Sequence, residues 1–574
     1  MSNQEISCPP DEGVEYRDGV FRPIDESRLP DAPPSSDYPR RGAGPPLYEL
    51  NDVPRVPRLK NVLGPSMIAL GMGLGAGEFL LWPNLIAANG FSIWWLFWVG
   101  VLTQFVVISE IERWSLATGE SVFTAMARLD RRAFWPWFFL AATLISFFWP
   151  GWAAVSAEFS RTTINAIAGT EIISAWQPIA LFMLAFIWFG LAFSRVVYNA
   201  LEKFEIGLIL LFFPLLFLAL LAAGVTFGDV TALARGAASI GSAPRSLLSG
   251  EQFPTLLIAV AYAGSGGTLL LAQSLWIRDK GFGMGVYQGR ICGIRGENER
   301  VTDRGFAFSV RSETALARFR GWMGLAQREL LATFVVLILL SVVITTLLVS
   351  ATIGTGNPEL AGDQTGMVLA QAEVLRERSG AWLEIVFLLG GALVLFSTQL
   401  GIVDTVTRIT GDIVYHRVGR HTHRLTLSRT FLILLTIFVG ASMTVITASW
   451  LGGESFEALQ PNFLVLIAGP FTIASMYCFA LVVTMLNTRY LPAAARMPRW
   501  KLVGMYWAIV LWGWFTAEQV SRAILQHGLG ESGDVVTTIA YHPARLVIYG
   551  LWIGSLVWVV WRTAGPGFGK ATHE

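Results

Sequence analysis

The apolar residues of this chain are gathered into twelve separate stretches of roughly membrane-crossing length, at 61–88, 91–116, 133–160, 177–196, 203–225, 253–276, 327–353, 381–411, 427–449, 460–486, 502–524 and 543–562. In hydrocarbon every backbone N–H and C=O must be satisfied internally, so segments of about 20 apolar residues cross a bilayer as helices. That length constraint predicts an all-α integral membrane protein. Charge agrees: 14% of the 574 residues are Asp, Glu, Lys or Arg, against about 25% in an ordinary soluble domain. The net charge of +1 gives no reason to expect nucleic acid as a partner.

Basic residues orient the spans. Arg55, Arg58 and Lys60 precede the first. Arg128, Arg131 and Arg132 follow the second, Arg195 and Lys203 the fourth, Arg417 and Arg420 the eighth, and Arg496, Arg499 and Lys501 the tenth. Loops after odd-numbered spans are poor in Lys and Arg. The alternation predicts twelve helices with both termini cytoplasmic in a plasma (inner) membrane. Residues 1–50 are polar and proline-rich, without the apolar core of a signal peptide. The expectation is a disordered cytoplasmic tail over 1–58. The basic stretch 277–326 reads as a cytoplasmic loop, with a small hairpin conceivable in the glycine-dense part 281–296. Cys8, Cys292 and Cys478 are far apart and form no metal or disulfide pattern. No nucleophile–base pair, nucleotide-binding loop or cofactor motif stands in the spans, so an enzyme is not expected.

Two spans are interrupted. Gly71, Gly73, Gly75 and Gly77 stand within seven residues and are followed at once by Glu78; Gly264, Ser265, Gly266 and Gly267 precede Thr268. Glycine costs roughly 1 kcal/mol against alanine inside a helix. A pair of glycine-interrupted spans in corresponding positions of two halves points to a transporter's substrate site. The spacing Gly71/Gly75 and Gly73/Gly77 also suits close helix packing. An intramembrane carboxylate is a functional candidate by default, so Glu78 is read as a cation ligand or proton carrier, with an interhelical ion pair as the plainer alternative. Asp404 and Arg408, four apart on one helix face, are expected to pair and are candidates for coupling or gating. Glu110, Glu112 and Arg113 are read as interfacial, and Glu202, Lys203 and Glu205 as a cluster at a helix start. Pro150-Gly151 predicts a kink, and His421 and His423 lie in a basic loop without carboxylates.

Several stretches, in order, resemble the Nramp metal-transporter family: Asn61 through Leu70 and the interruption after it, Gln104 through Arg128, Tyr198 through Phe204, Phe396 through Leu400, and Ile409 through Asp412. The likeness covers roughly residues 59–490. It implies the LeuT-type fold of two inverted five-helix repeats, about 61–225 and 253–486, with helices 1 and 6 broken. Residues 491–574 would add two C-terminal helices and a tail. The family's first-helix motif Asp-Pro-Gly-Asn is matched here by Gly75, Ala76, Gly77 and Glu78. Its sixth-helix Met-Pro-His falls at Gly264 to Thr268, without Met or His. Its third-helix acid has no clear counterpart around Trp149–Trp152, Glu158 being displaced.

The site is thus expected to comprise Gly75, Ala76, Gly77, Glu78, Gly264, Ser265, Gly266, Gly267, Thr268, Gln273 and Gln399. Without sulfur ligands it suits oxygen-loving cations over soft transition metals. Two substrates stay open. One is a hard or hydrated divalent cation held through Glu78, which kinship favours. The other is a small organic solute such as an amino acid or carboxylate, held at half-helix ends, which site chemistry favours. A proton or sodium ion would be the coupling ion. A non-transporting membrane sensor on the same scaffold is the third alternative.

Overall fold

The computed structural model describes residues 14–17, 20–23, 47–49, 53–57, 64–244, 247, 252–297, 299, 301–302, 304–360, 362–419, 425–452, 469–529 and 543–564. His421, His423 and Cys8 lie outside them. Among the described residues, eight helices are long and apolar enough to cross a membrane: Phe91–Thr118, Phe134–Ala168, Val197–Ala222, Glu313–Thr352, Ala381–Arg417, Leu427–Gly452, Gly469–Arg489 and Pro543–Ala564. In chain order these are helices 2, 3, 5, 7, 8, 9, 10 and 12. Helix 4 is the shorter Gln177–Ala192, and helix 11 is Arg499–Leu529. The remaining two predicted spans are the interrupted helices 1 and 6.

Their interruptions differ in kind. Helix 1 runs Pro65–Gly73 as α-helix, Leu74–Leu81 as π-helix and Trp82–Asn89 as α-helix again. Its glycines therefore widen the helix instead of unwinding it. Glu78 lies inside the wide turn, not at the N-terminus of a second half-helix. Helix 6 is truly broken. Phe253–Ala261 ends at Tyr262, and the chain resumes as a 3-10 turn over Gly267–Ala272 and an α-helix over Gln273–Lys280. Gly264, Gly266 and Gly267 have φ of 120°, 66° and 57°, a region that side chains strongly disfavour. Helix 3 bends where expected, with Phe134–Phe147 and Gly151–Ala168 meeting at Pro150.

Helix 8 is the central post. It packs against helices 1, 3, 5 and 9, while the start of helix 6 leans on helix 10 and its end on helix 2. Helix 12 turns Leu546, Leu551, Val557 and Trp561 outward, as a helix bathed in lipid does.

Three expectations need correction. Part of the tail is ordered: Val14–Arg17 and Val20–Pro23 pair as an antiparallel hairpin, and Tyr48–Glu49 pairs in parallel with Phe306–Ala307. Val53 is buried, and its carbonyl accepts from Arg318 at 2.9 Å while that of Pro54 accepts from Trp322 at 2.8 Å. The stretch 281–296 forms no hairpin. It holds a 3-10 turn over Gly283–Tyr287 and a bridge between Cys292 and Val196, and lies close against helix 2, Gly283 beside Leu116 and Met284 beside Gly119. Helix 7 begins at Glu313, well before 327, its amphipathic first turns covering the tail.

The close approach of helices 1 and 6 depends on missing side chains. A Cβ on Gly77 would collide with the Tyr262 carbonyl, and one on Gly73 would lie 3.0 Å from the Gly264 backbone. Gly77→Ala is expected to cost about 1–3 kcal/mol through overpacking. It should lower the thermal unfolding midpoint of the purified protein. Gly440→Ala, on an exposed helix face with open space around it, should not lower that midpoint.

Candidate functional site

At the crossing of the two interruptions a carboxylate meets a backbone turn. Glu78 Oε1 accepts from the Gly264 N–H at 3.0 Å, a proton shared with the Tyr262 carbonyl at 2.8 Å. Glu78 is fully buried, and its Oε2 has no hydrogen-bond donor among the described residues. No basic side chain among them pairs with it. The wide turn that carries it is held on two sides. Thr345 of helix 7 donates to the Glu78 carbonyl at 2.7 Å. Thr398 of helix 8 donates to the carbonyls of Gly71 and Met72 at 3.2 and 3.3 Å. π-helical turns of this kind concentrate at functional sites because they free backbone groups for other partners.

Gln104 of helix 2 closes the other side. Its Nε2 donates to the Ala261 carbonyl at 2.9 Å, which satisfies the end of the first half of helix 6. Its Oε1 lies against Gly264 and has no donor. Ser265 Oγ is likewise buried without a partner. Three buried oxygens with spare lone pairs, one of them a carboxylate's, therefore belong to Gly264's neighbours. Buried acceptors left so are costly unless a proton, water or cation meets them. Among the described residues no group of three or more His, Cys, Asp or Glu side chains is gathered as a metal cage.

The other predicted site residues divide between this crossing and its neighbours. Gly75 and Gly77 belong to the wide turn, with Ala76 between them; Gly266 and Gly267 belong to the break. Thr268 accepts from Thr143 of helix 3 at 2.9 Å, and Gln399 Oε1 accepts from the Ala153 N–H at 3.1 Å. Both thus face helix 3, leaving Gln399 Nε2 unpartnered. Gln273 is not at the crossing. The 3-10 turn before it climbs about 2 Å per residue, which carries Gln273 one layer on, where it binds Glu112 and Ser66.

Asp404 and Arg408 pair at 2.8 and 2.9 Å, as their spacing predicts. They belong to a larger buried lattice. Arg408 also binds Asp279, Arg278 spans Asp279 at 3.0 Å and Asp412 at 2.6 Å, and Asp412 takes the Ser121 hydroxyl at 2.5 Å. Every charge in it has an opposite partner, which marks a structural clamp between helices 6 and 8.

Sequence reasoning missed several residues. Glu110, Glu112 and Arg113 are buried within the protein: Glu110 binds Arg113 at 2.7 Å, Lys501 at 3.1 Å and Asn487 at 3.0 Å. Glu202 pairs with Lys280 at 2.7 Å. Glu205 is buried beside Gly71 and Gly401, takes the Ser397 hydroxyl on one oxygen and has no donor on the other. Gln104 was legible as an isolated amide in an apolar span. The partners of the carboxylates, distant in the chain, were not. Glu158 pairs with Arg161 at 2.6 Å and stays partly exposed, away from the crossing.

No protein-family model matches the chain, and no curated protein does. Solved structures do. A mutant of the Eremococcus coleocola manganese transporter aligns with a TM-score of 0.59 at 13% identity, over 89% of this chain and 98% of that one. Its complex with an aromatic bis-isothiourea substituted compound aligns with a TM-score of 0.59 at 13% identity, over 88% and 96%. A further mutant gives 0.58 at 13% identity, over 89% and 97%. The chain therefore has an Nramp-like, LeuT-type fold, helices 1–5 and 6–10 forming the two repeats and helices 11 and 12 following. At that identity the likeness carries the fold and no substrate.

The lattice makes a testable demand. Arg408→Gln leaves Asp404 and Asp279 buried without their shared cation, a loss of about 3–5 kcal/mol. The thermal midpoint should fall markedly, and adding Asp404→Asn to Arg408→Gln should restore part of it.

Proposed function

We propose that the chain is a secondary transporter whose substrate is a hard, still hydrated divalent cation of the Mg²⁺ class. The observation that carries this is the Glu78 carboxylate, held by the Gly264 N–H through one oxygen and left bare on the other. A buried carboxylate without a counter-charge costs several kcal/mol, and a cation relieves it. Mg²⁺ dehydrates reluctantly and is usually held by one or two carboxylates with several waters retained. Glu78 with the neutral oxygens of Gln104 and Ser265 fits that pattern of one charge and water-mediated contacts. Soft metals would want sulfur or imidazole, and among the described residues neither is recorded against Glu78, Gln104 or Ser265.

The same contact disfavours an anionic solute. A substrate carboxylate seeking the amide at the helix 6 break would meet Glu78 already on it. Two carboxylates on one amide repel. Alternating access fits the fold: the interrupted helices 1 and 6 tilt against the remainder, with the site near the midplane. The Lys/Arg bias supports cytoplasmic termini. Nothing in the site calls for a bound cofactor.

Uptake of Mg²⁺ into proteoliposomes, read by an enclosed indicator, tests the reading. Glu78→Gln keeps the shape and the amide contact but removes the charge, and should lower uptake at least about tenfold, the effect of about 1.4 kcal/mol. Unchanged uptake in that variant sinks the site assignment. Absence of uptake of any divalent cation by the unaltered protein sinks the substrate.

A further inference from the structure

One layer from the crossing, four helices meet at a cluster with more acceptors than donors. Glu329 of helix 7 takes three donors: the N–H groups of Gly64 and Ser66 at 3.2 Å each, and the Ser66 hydroxyl. It caps the start of helix 1 and is fully supplied. The Ser66 oxygen in turn accepts from Gln273 Nε2 at 3.2 Å. The same Nε2 donates to Glu112 Oε1 of helix 2 at 2.9 Å. The carboxamide orientation is fixed by these contacts, because both neighbours require a donor from it.

Two acceptors remain. Glu112 Oε2 and Gln273 Oε1 have no donor among the described residues, and both side chains are at most 1% exposed. They are the second oxygens of a carboxyl group and a carboxamide that already touch through Glu112 Oε1 and Gln273 Nε2. One proton on Glu112 Oε2 adds a donor to this acceptor-rich pair and removes the buried charge. Without it, two bare acceptors and a buried charge are left, which is costly. Other charges facing Glu112 are Glu329 of helix 7, Glu110 on its own helix and Lys501 of helix 11. Lys501 is engaged by Glu110 and Ser109, and Lys280, which faces Glu329, by Glu202.

We propose that Glu112 and Gln273 form a proton-binding site, separate from the Glu78 crossing, whose proton latches the cytoplasmic ends of helices 1 and 6 to helices 2 and 7. Ser66 and Gln273 lie on the interrupted helices; Glu112 and Glu329 lie on their neighbours. The latched state holds one more proton than the released state, so acid favours latching and rising pH favours release. The orientation and the tilting of helices 1 and 6 rest on the transporter reading; the proton site does not.

Hydrogen exchange of the full-length protein in nanodiscs, without added divalent cation, tests this apart from transport. Peptides covering 64–73 and 267–280 are followed between about pH 6 and about pH 8 and corrected for intrinsic exchange. Protection in the unaltered protein should fall about tenfold or more as pH rises, a local opening equilibrium set by one proton. Glu112→Gln supplies a permanent donor in the same shape and should stay protected across the range. Gln273→Leu removes the partner and should be weakly protected throughout, without pH dependence. Flat protection in the unaltered protein, a wild-type pH response in Glu112→Gln, or protection that follows sodium concentration instead of pH overturns the proposal. Each outcome is independent of whether Glu78→Gln alters Mg²⁺ uptake.

Discussion

The hydrogen bond between Glu78 and the Gly264 amide joins the two interruptions, and much of the interior is arranged to permit it. Glu78 reaches helix 6 because the wide turn at Leu74–Leu81 rotates it there. The wide turn fits because Gly73 and Gly77 present no Cβ to the backbone of Tyr262 and Gly264. The amide is available because Gly264, Gly266 and Gly267 hold dihedrals that other residues resist. Thr345 and Thr398 then take up the carbonyls that the irregular backbone frees. Each of these is a local cost inside a membrane. They make sense together as the support of one buried carboxylate with one open oxygen.

The charges of the interior fall into two kinds, distinguished by whether their partners balance. In the Arg408, Asp404, Asp279, Arg278 and Asp412 lattice, cations and anions alternate. Such a lattice fixes geometry, and replacing one member leaves a buried charge alone. Glu78, Glu112 and Glu205 are different. Each is buried with an oxygen that no donor meets among the described residues. Unbalanced acceptors of this sort are where a protein that moves cations can take one up. Charge balance therefore separates scaffold from candidate site better than the mere presence of charge within a span.

Element order was legible because length, apolarity and Lys/Arg bias act at the scale of a whole span. The glycine runs located both interruptions, yet glycine alone does not choose between a wide turn and a true break. Tertiary contacts made that choice: Thr398 and Thr345 hold helix 1 together, while left-handed glycines open helix 6. Gln273 was assigned to the crossing on sequence proximity, and a short 3-10 turn displaced it into the Glu112 cluster. Their places near span ends make Glu110 and Glu112 read as interfacial and Glu205 as part of a helix-start cluster. Their partners, Lys501, Gln273 and Ser397, stand far along the chain. The ordered end of the tail was hidden for the same reason, since its support comes from Arg318 and Trp322.

The central claim is that the crossing takes a cation and not an anion-bearing solute. Thermal unfolding of the purified protein with Mg²⁺ or other divalent cations, amino acids and small carboxylates in turn is the direct measurement, since a ligand stabilises the state it binds. The account predicts a concentration-dependent rise in the midpoint with a hard divalent cation and none with amino acids or carboxylates. Stabilisation by an amino acid or carboxylate, with divalent cations inert, would contradict it.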